Sequence, residues 1–258
     1  MVATSTNLQA TKNGLSFLPG GLAFDETALP IAPEKEAYLR TMPVFHDAFL
    51  HRPNDGLSVE AIDHHADSLT VRGPYQPIVS ARSERVIGKA SGPLAECAKI
   101  ALNCHIGLHN IAGIDTPLWT FKGPEKGISV VALACRDLDY NMRFWSDGLG
   151  AVVGDSGQAP TPWTKLSFIG ISANTCGTLL LVQLPEHVNA SSMLDDPGWT
   201  CMSVLVRPQQ DIAGKLNEYG GIDVGTAYAS TIGGKKLLLN FIRSPDGALI
   251  ELLAPGGN

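Results

Sequence analysis

The feature that most constrains this chain is a repeat in its second half. The stretch "GISVVALACRDLDYNMRFWSDGLG" begins at Gly127, and a similar pattern returns as "WTCMSVLVRPQQDIAGKLNEYGG" from Trp199. A gapless shift of 71 positions carries Val130 onto Cys201, Arg136 onto Arg207, Gly150 onto Gly221, Val153 onto Val224 and Gly154 onto Gly225. Towards the end the shift reads as 70, with Gly177 on Gly247 and Pro185 on Pro255. A unit this long occurring twice is a duplicated module and not a solenoid array.

Each copy predicts the same elements. Ile128 to Cys135 is rich in valine, leucine and alanine, as a buried strand is. Asp137 is placed to cap a helix along which Leu138, Met142, Phe144, Trp145 and Leu149 recur, and Gly148 and Gly150 end it. Strands are predicted over 164–172 and 177–184, followed by a polar linker punctuated by Pro185, Pro197 and Gly198. The second copy repeats the series. Val204 to Val206 form a strand, Ile212, Leu216 and Tyr219 mark a helix face, and strands follow over 226–230, 236–243 and 248–253. The fold class is therefore α+β, with paired βαβββ modules over 127–185 and 198–256 inside a domain of residues 126–258.

Residues 1–125 read differently. "PEKEAYLRTMPVFHDAFLHR" predicts helix with a break at Pro43, and "SVEAIDHHADSL" predicts a helix starting at Ser58. In "GPLAECAKIALNCHIGLHNIAG", Leu94, Cys97, Ile100, Ala101 and Cys104 share a helical face. The expectation is a mainly helical extension or small domain whose first dozen or so residues are disordered.

Composition narrows the function. The net charge of -6, with no local basic cluster, argues against a nucleic-acid or anionic-membrane partner. No run approaches the ~20 apolar residues of a membrane span, and the polar N-terminus lacks a signal peptide's apolar run. Five cysteines, an odd number without a CxxC pair, fit reduced thiols. A cytoplasmic protein acting on a small molecule is expected.

The motifs "VALACRDLDYNMRFWSDGLG" and "FIRSPDGALIELLAP" resemble those of the vicinal oxygen chelate superfamily, which includes glyoxalase I, type I extradiol dioxygenases, fosfomycin resistance proteins and bleomycin-binding proteins. The resemblance covers the C-terminal half. It implies two modules whose sheets curve around a cleft, with metal ligands on the first and last strands of each module in metal-dependent members. Here those positions hold Val130, Leu181, Cys201 and Glu251, and a two-residue slip brings in Gln183. Valine and leucine offer no lone pair, and one thiol with one carboxylate falls short of a catalytic metal's usual three protein ligands. The expectation is no metal and no cofactor. Glu251 is then either a general acid or base with a pKa raised by apolar neighbours, or a relic carboxylate. Cys201 reads as a small buried hydrophobe before it reads as a nucleophile.

Six of the seven histidines fall in the N-terminal half. His105 and His109 share a face of the predicted helix and become acid–base partners for Glu251 if the extension covers the cleft. The same histidines offer a relocated metal site, although no HExxH is present. Trp163, Trp199 and Asn240, with Val130, Leu181 and Cys201, are expected to contact the substrate. There is no Walker A motif and no GxSxG. The reading is a metal-independent isomerase, lyase or cyclase acting on a small apolar or aromatic carbonyl compound. The alternatives are a sequestering protein of the bleomycin-resistance type, and a dioxygenase or glyoxalase with relocated ligands. Paired modules close a cleft within one chain, and a homodimer is compatible with this.

Overall fold

The computed structural model describes residues 1–16, 18, 21–26, 33–39, 48–53, 56–63, 72–81, 87–124, 127–168, 177–186, 192–207, 212–222, 225–232 and 235–256. In chain order the elements are β1 (Val2–Ser5), α1 (Leu8–Leu15), β2 (Gly21–Glu26), α2 (Pro33–Glu36), β3 (Ala48–Pro53), β4 (Val59–Asp63), β5 (Tyr75–Ala81), β6 (Gly88–Lys89), α3 (Pro93–Leu102), β7 (Gly107–His109) and β8 (Leu118–Lys122). The second half continues with β9 (Ile128–Cys135), α4 (Leu138–Arg143) running into a π turn (Phe144–Gly148), β10 (Val152–Gly157), β11 (Trp163–Phe168) and β12 (Gly177–Gln183). It ends with β13 (Gly198–Leu205), α5 (Ile212–Glu218), β14 (Tyr228–Ile232), β15 (Lys235–Arg243) and β16 (Leu249–Pro255).

The strands form two eight-stranded sheets. The first runs β14-β15-β16-β13-β1-β4-β3-β2, and the second runs β10-β11-β12-β9-β5-β8-β7-β6. Within each four-stranded module the first strand pairs in parallel with the fourth, as β1 with β4, β5 with β8, β9 with β12 and β13 with β16. Modules join through their first strands, which run antiparallel as β1–β13 and β5–β9. The paired-module architecture holds, but the described residues form four such modules, and in the second of them α3 follows β6 and not β5. The two C-terminal ones do not pair with each other; each completes a sheet with an N-terminal module.

This corrects the helical reading of residues 1–125, which carry β1–β8 and three helices. The supposed helix from Ser58 is strand β4. Val59 and Ala61 are fully buried in the core between the sheets while Glu60 and Ile62 are only partly buried, a period of two and not 3.6. Glutamate and alanine favour helix, but β1 and β3 supply a ladder on both edges, and tertiary pairing overrides propensity. The first dozen residues are likewise ordered. β1 is four residues long, buried throughout, and central in its sheet. Asn7 caps α1 by accepting a hydrogen bond from the Ala10 N–H at 2.9 Å. The helix predicted around Leu94 ends at Leu102. Asn103 takes the left-handed conformation at φ 49°, and the chain re-enters the sheet as β7.

The second half follows its prediction more closely. Asp137 caps α4, its Oδ1 accepting from the Tyr140 N–H at 2.9 Å. The helix then widens by one residue, and the Leu149 N–H donates to the Phe144 carbonyl at 3.1 Å.

The inner faces of the two sheets share one core with α1, α4 and α5, built on Trp145, Trp199, Phe144 and Tyr75. The Tyr75 hydroxyl donates to the Leu249 carbonyl at 2.8 Å, tying the second sheet to the first. Just before β5 the Gly73 N–H donates to the Pro197 carbonyl at 2.9 Å. A Cβ on Gly73 would lie 2.1 Å from the Trp199 backbone oxygen, which cannot move aside without moving β13. Gly73→Ala is therefore expected to destabilise the protein by about 2 kcal/mol or more through overpacking. A urea midpoint within experimental error of the parent would contradict this close approach.

Candidate functional site

Alternation along the strands gives each sheet an outer face, turned away from its partner. On the first sheet this face carries Val2, Cys201, Leu239, Phe241 and Leu249, an apolar cluster separate from the shared core. A bulge in β13 makes this possible. Val2 pairs with Cys201 and Ala3 with Trp199, so one residue of β13 is unpaired. Trp199 then points into the shared core while Cys201 points outward.

Glu251 lies on this outer face, in β16, 4% exposed. Its register partners are Ser203 on β13 and Phe241 on β15. The Ser203 hydroxyl donates to Glu251 Oε2 at 2.8 Å. Glu60 arrives from the other module, beside Val2 in the parallel β1–β4 register. The covering residues come from α2 and the turn after it. Lys35 Nζ lies 6.0 Å from the Phe241 ring centroid, and the Tyr38 ring packs on Phe241 at 4.8 Å between centroids. Tyr38 is anchored by the Leu194 N–H, which donates to its carbonyl at 2.8 Å. Buried Arg243 holds the same segment, donating to the Ser192 carbonyl and stacking 5.9 Å over the Tyr38 ring.

The electrostatics follow from this enclosure. Burial pushes the Glu251 carboxyl above the usual carboxylate range; Lys35 and the Ser203 hydrogen bond oppose the rise, and Glu60 adds to it. Burial alone would lower the Lys35 ammonium, but Glu60 and Glu251 outweigh it and raise the lysine above its ordinary value. The Cys201 thiol is driven well up, first by burial and then by the charge of Glu251. Cys201 is thus a protonated, fully buried thiol and a poor nucleophile. It is expected to resist a disulfide reagent in the native protein and to react on unfolding, as read by peptide mapping. Native labelling of Cys201 would revive the nucleophile.

The second sheet presents the same positions with other residues. Ile78 faces Val130 across the module junction and lies beside Trp119, matching Val2, Cys201 and Glu60. Leu180 pairs with Ala132 as Glu251 pairs with Ser203, so the shift of 71 persists to the last strand. Leu180, not Leu181, is the counterpart of Glu251. Helix α3 fills this face. Ala95, Cys97, Ala98 and Ala101 pack with Ile78, Val130, Leu180 and Trp119 in one buried cluster, and Cys97 Sγ sits 3.3 Å from the Thr161 hydroxyl. The two carboxylates of the first sheet's outer face, Glu60 and Glu251, thus have Trp119 and Leu180 as their counterparts on the second.

The sequence-derived site is divided by this topology. Cys201 and Glu251 share the first sheet's outer face, whereas Val130 and Trp163 lie under α3 on the second. Leu181 and Trp199 belong to the inter-sheet core. Gln183, two residues beyond Leu181 on β12, shares its face and not the outer one. Asn240 pairs with Leu252 and points to the helix side, because one step along β15 reverses the face from Phe241. His105 is exposed beyond the end of α3, and His109 is on β7 opposite Leu118. The two histidines share no helix face, and both lie in the second sheet's module, away from Glu251. His46, His64, His65 and His187 lie outside the described residues. Glu60, Lys35, Ser203 and Tyr228 are the site residues that sequence reasoning missed. Glu60, Lys35 and Tyr228 carry no local signal, since the five residues of β4 are too few to display a period.

The family resemblance implies metal ligands on the first and last strands of each module. The four matching positions are Val2, Glu60, Cys201 and Glu251, with Lys35 as the cation facing both carboxylates. One thiol and two carboxylates, with an ammonium facing them and no imidazole, do not match a usual metal donor set. Among the described residues no three His, Cys, Asp or Glu side chains are grouped to hold an ion.

Two sheets, each of paired modules joined by their first strands, give this chain the fold seen in solved glyoxalase-type structures, in line with the resemblance read from its motifs. Glyoxalase I from Zea mays is similar over 98% of this chain and 90% of its own, with 12% identity and a TM-score of 0.62. A putative dioxygenase from Bacillus subtilis is similar over 100% of this chain and 84% of its own, with 12% identity and a TM-score of 0.59. The likeness extends over the whole chain and not the C-terminal half alone. No protein-family model matches the sequence, and no curated protein sequence does. No helix among the described residues is long and apolar enough to cross a membrane.

Proposed function

We propose that the outer face of the first sheet binds a small carbonyl compound and moves a proton on the carbon beside the carbonyl, without a metal. The observation that carries this reading is Glu251, a buried carboxyl with a raised pKa, hydrogen-bonded to Ser203 beside an apolar cluster and facing Lys35 and Glu60. A raised pKa brings a carboxylate closer in basicity to the proton it must take and return at neutral pH. Lys35 supplies positive charge beside the developing enolate, which is the role an electrophile fills in such chemistry. The apolar walls, Leu239, Phe241 and Leu249, suit a small hydrophobic or aromatic ligand. Isomerase or lyase chemistry is the class this arrangement serves.

The test uses proton NMR. The protein is incubated in D2O with a panel of small ketones and 2-oxo compounds, and deuterium uptake next to the carbonyl is followed. Catalysed uptake that Glu251→Gln removes is the expected result. Ligands of the panel that bind without exchange would make the protein a sequestering one.

A further inference from the structure

Tyr228, on β14, is 8% exposed, and its hydroxyl is buried with no hydrogen-bond partner among the described residues. Its ring belongs to the apolar cluster of the first sheet's outer face, with Leu239 and Phe241. Tyr228 pairs with Leu239, and Leu239 pairs with Leu253 on β16. The ring thus stands on the same face as Glu251, in the row two residues along β16. Lys35, Glu251 and Glu60 all act electrostatically on the phenol, which places them in its neighbourhood. An unpaired buried hydroxyl costs about 1–3 kcal/mol, and phenylalanine would give the same packing without that cost. A ligand oxygen would complete the missing bond. Burial also raises the phenol above its ordinary pKa, which keeps it a donor at neutral pH.

We propose that the Tyr228 hydroxyl donates a hydrogen bond to the carbonyl oxygen of the ligand, and that the ligand class is a carbonyl compound able to form an enolate. This rests on the proton-transfer reading of Glu251. The Glu251 carboxylate takes a proton from the carbon beside the carbonyl. The C–H electron pair becomes the new carbon–carbon double bond, and the carbonyl π pair moves onto oxygen, where the Tyr228 O–H receives it. Return of the proton from Glu251 to carbon reverses the flow and restores both the carbonyl and the carboxylate. No oxidant, reductant or co-reactant is required.

The experiment is calorimetric titration with 4-nitrophenolate, a stable mimic of an enolate oxygen, and with nitrobenzene, which has the ring but no such oxygen. Tyr228→Phe is expected to weaken 4-nitrophenolate at least about tenfold while nitrobenzene changes less than about twofold. Equal phenolate affinity in parent and variant would overturn the proposal. So would a parent that does not bind phenolate, or an equal loss for both probes, which marks a packing defect. The two readings separate cleanly. If Glu251→Gln keeps deuterium exchange while Tyr228→Phe still loses phenolate, the acid–base reading fails and the donor stands. If Glu251→Gln loses exchange but Tyr228→Phe binds phenolate like the parent, the acid–base reading stands and the donor fails.

Discussion

Glu251→Gln is expected to lower catalysed deuterium exchange by about two orders of magnitude or more, the usual contribution of a positioned general base. The glutamine keeps the size of the side chain and can still accept the Ser203 hydrogen bond, so the fold should persist. Stability supplies an independent readout. In the folded protein the Glu251 pKa is raised, chiefly by burial. At pH values below an unfolded glutamate's pKa of about 4.3, both states hold the proton and there is no penalty. As pH rises above that value the unfolded state releases its proton first, so stability falls until the folded pKa is passed. Glutamine does not titrate. The stability of Glu251→Gln relative to the parent should therefore increase as pH rises from about 4 to about 8. The groups facing Glu251 are Lys35, Glu60, Ser203, Cys201, Tyr228 and the Met1 amino group. Lys35 remains charged across this range because its pKa is raised and not lowered. A pH-independent difference, or one of opposite sign, would show that Glu251 is not held above its ordinary pKa.

The second large effect is expected at Asp246, in the turn between β15 and β16. This carboxylate, 7% exposed, joins the modules of the two sheets. Oδ2 accepts the Arg136 backbone N–H at 2.9 Å and the Asn141 side-chain amide at 2.8 Å, while Oδ1 accepts Arg136 Nε at 2.8 Å. Asn141 is 1% exposed, so alanine at 246 would leave its amide buried with a single acceptor, the Asp137 carbonyl. The Arg136 side chain is 56% exposed, and its ion pair contributes little by itself. The loss falls on the buried bonds. Asp246→Ala should cost about 2–3 kcal/mol, and Asp246→Asn less, because one amide oxygen survives as an acceptor. For a chain this long each kcal/mol lowers the Tm by about 2–4 °C. Calorimetry that finds the alanine variant as stable as the asparagine variant would remove Asp246 as the inter-module tie.

Particular elements show why part of this was legible beforehand. β9, β13 and β16 are long, apolar runs, and Asp137 and the glycines bracket α4 by chemistry that acts within a few residues. Local signals of that kind survive in any context. β1 and β4 have four and five residues, too short to display a period, and β4 is built partly from helix formers. They become strands because β1 is held between β13 and β4, a pairing of residues some 200 positions apart. Face assignment failed for a related reason. Leu181 and Leu180 differ by one position, and in a strand one position reverses the face, so a shift read as 70 instead of 71 moved the side chain from the outer surface to the core.

The sequence by itself determined the module, its duplication, the βαβββ order of the C-terminal copies and the place of Glu251 on the last strand, because repetition and strand–helix patterning are encoded locally. The tertiary structure decided which module pairs with which. That choice put Glu251 with Glu60, Lys35 and Tyr228 on one outer face and closed the matching face of the other sheet with α3. Strand pairing between distant segments rests on complementary edges and buried faces, and these exist only once the chain has folded.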